Sequence, residues 1–210
     1  MADDTRTPTA WLARTGEGGY ALADCIANDA VALRYHTVPE ASGLTQKEIA
    51  TYVRNAPTVS DYTGAAAMLG RFIHDVREGD IVVTPHLADG RVFFGEVTGD
   101  YFYEKKSRVP DLLHMRAVRW TGAVVRDDLP EGLLAETDSS AAFYELASSD
   151  DWAKQATMAA ETGAFVPPKK ATAPKGAVGV KVDAAIAKCT SCNMTLSPAD
   201  IENGLCEACA

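Results

Sequence analysis

The sequence has no stretch approaching the ~20 consecutive apolar residues that a helical membrane span needs. Its opening, MADDTRTPTAWLARTG, carries two acids and no apolar run of the kind a secretory leader has, so a cytoplasmic location is expected. Histidine is sparse: His36, His74, His86 and His114 are scattered, with no H-E-x-x-H pair, and no G-x-S-x-G turn is present. The densest glycine run, RTGEGGY (14–20), lacks the Lys-Ser/Thr of a phosphate-binding loop. The usual metallohydrolase, serine-hydrolase and P-loop chemistries therefore have no sequence support. Five cysteines in a chain kept inside the cell point to metal ligation or free thiols rather than disulfides.

Positive charge is also short. The net charge is −9, with 14 basic against 22 acidic side chains in residues 1–147 and 6 against 7 in residues 148–210. The overall field repels nucleic acid, so any such contact has to come from a local patch. One stretch qualifies: Lys105, Lys106 and Arg108, followed by His114, Arg116, Arg119 and Arg126.

What the chain does have is apolar material, 47% of its 210 residues, enough for one full domain and something small besides. Composition shifts near residue 147. Residues 148–164 can form a short helix, and residues 165–180, with Pro167, Pro168 and Pro174, read as an extended linker. Upstream, strands are expected at 10–15 and 30–36, with a short helix or loop over 20–29 between them. Thr45-Gln-Lys-Glu48 is a capping box that starts a helix over about 46–55. A second helix over about 62–76 places Ala66, Leu69, Phe72, Ile73 and Val76 on one face. The period then changes to two, with strands expected over 80–85, 91–99, 101–106, 112–125 and 141–146. In this reading FFGEVTGDYFYEKK (93–106) is a hairpin that turns at Gly99-Asp100. Helices early and antiparallel strands later describe an α+β fold, a curled sheet or barrel with two or more covering helices.

The strongest single motif lies at the far end. Cys189-Thr-Ser-Cys192 and Cys206-Glu-Ala-Cys209 are two C-x2-C pairs separated by 13 residues. Each pair presents two thiolates from one tight turn, and together they complete a tetrahedral sulfur shell suited to Zn2+. A shell closed by four cysteines leaves no position for water, so the metal would be structural, organising residues 186–210 as a zinc-ribbon-like module. Cys25 stands apart in an apolar segment and reads as a buried thiol.

Glu104-x-Lys106, with Asp89 15 residues upstream, matches the spacing of a magnesium-dependent nuclease of the PD-(D/E)xK type. Its position after a hairpin turn argues against that use, and catalysis by this chain alone is not expected.

Five phrases in order, WLARTGEGG (11–19), VALRYHTVPEASGLTQKEI (31–49), REGDIVVTP (77–85), VFFGEVTGDYFY (92–103) and HMRAVRW (114–120), resemble the N-terminal module of Mrr-type restriction endonucleases, which is similar to PUA and EVE domains. The resemblance covers about residues 8–147. It implies a PUA-like curled sheet with a slot that accepts a flipped, often modified, base, where aromatic faces replace the lost stacking. Carried over by motif, Trp11, Arg14, Tyr35, Tyr101 and Tyr103 become base-pocket candidates, with Lys105, Lys106, Arg108 and Arg116 as phosphate contacts. The function implied is DNA recognition within a prokaryotic restriction or defence system, with the nuclease supplied by another chain. The alternative is an acidic adaptor that docks a protein partner through its surface and zinc module.

Overall fold

The structure is a computed structural model, and it describes residues 6–35, 37–55, 61–105, 109, 112–162 and 165–168. The chain divides after Ala173. Six strands, β1 (Ala10–Ala13), β2 (Ala30–Leu33), β3 (Ile81–His86), β4 (Arg91–Tyr103), β5 (His114–Val125) and β6 (Phe143–Glu145), form one open sheet in the order β2-β5-β4-β3-β1-β6. Only β1 and β3 run parallel; the other pairs are antiparallel. The mixed α+β class expected from the order of periodicities is what the chain adopts.

Alternation along the strands sends side chains into two cores. On one face Trp11, Ala13, Val31, Leu33, Val82, Val97 and Val118 meet Ile49 and Val53 of α2 (Gln46–Arg54) and Leu69, Phe72 and Ile73 of α3 (Tyr62–His74). The capping box that starts α2 forms as expected: Thr45 Oγ1 accepts from the Glu48 N–H, and the Glu48 carboxylate accepts from the Thr45 N–H at 2.7 Å. Asp61 caps α3 in the same manner, accepting from the Gly64 N–H at 2.9 Å. A shorter helix, α1 (Leu22–Ala27), packs beside β2.

The opposite face gathers Ala10, Leu12, Ile81, Val83, Val92 and Phe94 under Leu133 of α4 (Glu131–Glu136) and Trp152 and Ala159 of α5 (Ser149–Glu161). Here α5, which follows residue 147, joins the packing. Trp152 is fully buried against Phe94, and its indole N–H donates to Glu136 at 3.1 Å. A Cβ on Gly122 would lie 2.6 Å from the Ala159 carbonyl carbon, so this glycine is what lets α5 approach β5. The helix after residue 147 is thus part of the domain core.

A second correction concerns residues 93–106. They are not a hairpin: β4 runs unbroken for 13 residues. Between the pairs Val97↔Val118 and Tyr101↔Arg116, Thr98, Gly99 and Asp100 lie opposite the single residue Ala117. The turn-forming residues make a bulge, which bends a strand without ending it.

Candidate functional site

Three of the five base-pocket candidates do come together, at the end of the sheet where β2, β4 and β5 meet. Their hub is His114, fully buried at the start of β5. A carbonyl can only accept, so the Nε2 of His114 carries the proton that it donates to the Tyr35 carbonyl at 3.1 Å. Nδ1 then accepts from the Tyr101 hydroxyl at 2.9 Å, and the Tyr101 oxygen accepts from the Ala41 N–H at 3.3 Å. The Tyr101 and Tyr103 rings lie 5.9 and 5.2 Å from the imidazole. Burial pushes His114 down to about 4, outweighing the hydrogen bonds to the Tyr35 and Val38 backbone and the charge of Glu40. Burial likewise pushes Tyr35 and Tyr101 up to about 12, Asp61 adding to the effect on Tyr35. Tyr35 adopts φ 88°, in the left-handed region that bulky side chains avoid at a cost of about 1–3 kcal/mol. His114 holds its carbonyl there. The set is a closed hydrogen-bonded unit whose rings are half-buried.

Trp11 and Arg14 are engaged away from this group. Trp11 is 3% exposed, stacks on Phe143 at 5.2 Å and donates its indole N–H to Asp80 at 2.9 Å. Asp80 also receives Arg6, Thr9 N–H and Arg77 N–H, which makes it a latch for the chain entering β1. Arg14 donates to the Thr137 and Ser139 carbonyls at 2.6 and 2.7 Å, tying down the end of α4.

The basic stretch disperses in the same way. Arg116 is 3% exposed, and its guanidinium donates to the Phe72 and Ile73 carbonyls at 2.8 and 2.7 Å, closing the C-terminal end of α3. It is not a phosphate contact. Arg119 pairs with Glu96 at 2.5 Å and Arg126 with Asp138 at 2.7 Å. Lys105 is exposed on the β4–β5 connection; Lys106 and Arg108 lie outside the described residues.

The nuclease spacing fails on geometry. Asp89 lies just before β4 and Glu104 just after it, so a strand of 13 residues, roughly 40 Å when extended, separates two carboxylates that would have to share one metal. Asp89 is ion-paired with Arg91. Among the described residues no cluster of His, Cys, Asp and Glu is arranged to hold a metal. Cys189, Cys192, Cys206 and Cys209 lie outside the described residues, and Cys25 is a buried free thiol that burial pushes up to about 12.

One group of residues was not anticipated. On the face shared with α2 and α3, several polar atoms are buried with no hydrogen-bond partner among the described residues: Thr84 Oγ1 and His86 Nδ1 toward the β3–β4 connection, Trp120 Nε1 level with Val82, and Thr15 Oγ1 just after β1. Thr84 and His86 are alternate residues of β3 and share a face. Thr84 pairs across the sheet with Phe93, whose ring meets His86 edge-on at 6.2 Å. Gly95, two residues along from Phe93, pairs with Trp120, and a Cβ there would lie 2.3 Å from the Val118 side chain and 3.3 Å from the indole. The absent side chain leaves room for Val118 and Trp120 over the sheet. Gly19, at φ 78°, brings the loop after β1 down onto His86, where a Cβ would lie 2.9 Å from the imidazole. Burial lowers the His86 pKa, which favours the neutral ring, while the Asp89 carboxylate, 3.9 Å from Nδ1, acts against it. The sequence signal was present in RTGEGGY and VVTPH: a polar residue within an apolar strand, and glycines that permit close approach.

A six-stranded open sheet covered by helices on both faces, with buried polar groups beside aromatic rings, defines a mixed α+β domain that has a candidate ligand site in its sheet face. The chain belongs to the family DUF8426, a domain of unknown function, whose pattern matches residues 11–147. No curated protein matches it. Among solved structures, it is similar to protein Atu2648 from Agrobacterium tumefaciens, with 16% identity over 78% of this chain and 99% of that chain and a TM-score of 0.38.

Proposed function

We propose that this protein recognises DNA through a flipped, modified base, as the non-catalytic reader of a prokaryotic restriction or defence system. The observation that carries the reading is the group of buried polar atoms lacking partners beside Phe93 and Trp120. A buried unsatisfied polar group costs about 1–3 kcal/mol, and four of them on one face are tolerated where a ligand supplies what the protein does not. A nucleobase fits this chemistry: its faces stack on aromatic rings, and its edge offers donors and acceptors to hydroxyl, imidazole and indole groups. In this reading the bulged, bent β4–β5 pair is the curled part of a PUA-like sheet. Lys105, Lys106 and Arg108, on the connection between those strands, meet the phosphate backbone, with Tyr103 beside them. The tail binds one structural Zn2+ through Cys189, Cys192, Cys206 and Cys209, and another chain brings the nuclease.

Charge supports a second reading. A net charge of −9, with Arg116 buried and Arg119 and Arg126 neutralised in surface ion pairs, suits an acidic adaptor that docks a protein partner. Titration of the intact protein against plain duplex and duplexes carrying 5-methylcytosine, 5-hydroxymethylcytosine or N6-methyladenine separates the two. The reader binds one modified duplex near physiological salt at least tenfold more tightly than the plain one; absence of binding to every duplex, by the wild type and by variants with an opened site alike, leaves the adaptor.

A further inference from the structure

Most of the unpartnered polar group is sealed, Trp120 being partly exposed. Thr84, Thr15 and Phe93 are 0% exposed and His86 5%, so a base cannot reach them unless something moves. What closes the site is identifiable. α5 runs along the other face of the sheet, where Ala159 meets Gly122 and Trp152 meets Phe94. Phe93, next to Phe94, points the opposite way, and there it meets Phe165, four residues beyond the end of α5, edge-on at 6.2 Å. Phe165 therefore lies on the face opposite α5, against the Phe93 side of the site. Arg91 fastens it: its guanidinium carbon lies 4.8 Å from the Phe93 ring centroid, Asp89 holds it in place, and it donates to the Val166 carbonyl at 2.9 Å. Pro168, at the end of this segment, is buried.

Three groups thus enclose the Phe93 ring: His86, Arg91 and Phe165. The first two have backbones fixed in paired strands. Phe165 lies outside regular structure, and among the described residues its segment is held by an aromatic contact to Phe93, the hydrogen bond from Arg91 to the next residue and the burial of Pro168. We infer that Phe165–Pro168 form an autoinhibitory strap over the Thr84–His86–Phe93 site, and that a base enters by displacing it. The inference rests on the base-reading proposal and adds its regulation: whatever pulls on the chain beyond residue 168 opens the site.

The test compares the intact wild type with Phe165→Ala and Phe165→Leu on the same panel of plain and modified duplexes, with tryptic cleavage after Lys169 and Lys170 followed in parallel. An edge-to-face aromatic contact is worth an amount that converts to roughly two- to tenfold in an equilibrium. Phe165→Ala should strengthen binding of the preferred duplex by about that factor, Phe165→Leu by less, and plain duplex should be unaffected. Saturation of the wild type with the preferred duplex should speed cleavage after Lys169. If the wild type discriminates between duplexes while Phe165→Ala binds equally or more weakly, the strap is refuted and base reading stands. If only Phe165→Ala discriminates, the strap is supported in its strongest form. If no protein binds any duplex, base reading fails and the strap falls with it.

Discussion

The Tyr101 hydroxyl donates to His114 Nδ1 at 2.9 Å while the other ring nitrogen holds the Tyr35 carbonyl at 3.1 Å, so one neutral imidazole joins β4, β5 and the strained end of β2. Protonation would put a donor where Nδ1 must accept, and it would charge a buried ring.

The sign of the pH effect follows. Folding lowers the His114 pKa from 6.5 to about 4. The contribution is therefore complete above the unfolded value and is lost as pH falls from 6.5 toward 4, because over that window the unfolded chain takes up a proton that the fold refuses. Burial lowers the His86 pKa too, which acts in the same direction. Urea unfolding at pH 7 and pH 4.5 should show a loss in the wild type of up to roughly 3 kcal/mol from His114. His114→Gln should be less stable at pH 7 and lose distinctly less between the two. Equal losses would show that the imidazole is not the titrating group.

Arg116 and Lys105 separate structure from binding. Arg116→Met keeps the apolar stem but leaves the Phe72 and Ile73 carbonyls without their donor, so it should destabilise the fold by roughly 2–4 kcal/mol. The salt dependence of duplex affinity should not change. Lys105→Ala should leave stability within ~0.5 kcal/mol and reduce the salt slope by about 0.9 if the ammonium meets one phosphate. A reduced slope in Arg116→Met would mean that this guanidinium reaches DNA after all.

Gly122→Ala tests the seating of α5. The added methyl would meet the Ala159 backbone at 2.6–2.7 Å, and backbone cannot rotate away as a side-chain tip can. A destabilisation of about 1–3 kcal/mol is expected, with loss of the near-ultraviolet signal of Trp152. A stable variant with Trp152 still ordered would show that the helix shifts at little cost.

Much of the scaffold was legible because its causes are local. Thr45 and Glu48 announce α2 through a cap that needs no tertiary contact, and the spacing of Leu69, Phe72 and Ile73 announces the buried side of α3. Gly99-Asp100 misled because a bulge and a turn use the same residues; what distinguishes them is the partner strand, where a single Ala117 faces three residues. Trp11 and Arg116 misled for a related reason. Aromatic and basic side chains suit a base slot, but here Asp80 and the end of α3 claim their polar groups, and those partners are 69 and more than 40 residues away. Thr84 and His86 escaped notice because an unpartnered polar atom can be recognised only once every neighbour is known.

The tail carries a prediction that the rest of the domain does not influence. Elemental analysis should give one zinc per chain. Cys192→Ser should lose it and Cys25→Ser should not, since Cys25 is buried away from any metal-binding cluster among the described residues. Retention of zinc by Cys192→Ser would remove the four-cysteine site.

Thr84→Val tests the reading site with stability and binding set in opposition. The substitution keeps the branched shape and removes a hydroxyl that has no partner among the described residues. With no hydrogen bond to lose, the free protein should be as stable as the wild type, or more stable by up to about 1–2 kcal/mol, because a desolvated polar group has been deleted. Affinity for the preferred modified duplex should fall roughly 5- to 50-fold, the range set by one hydrogen bond to a base edge, with plain duplex unchanged. Higher stability with weaker, less selective binding is the signature of a residue kept for its ligand. Thr84→Val that is clearly less stable and equally selective would show instead that the hydroxyl serves the fold, and the site would have to be sought around His114.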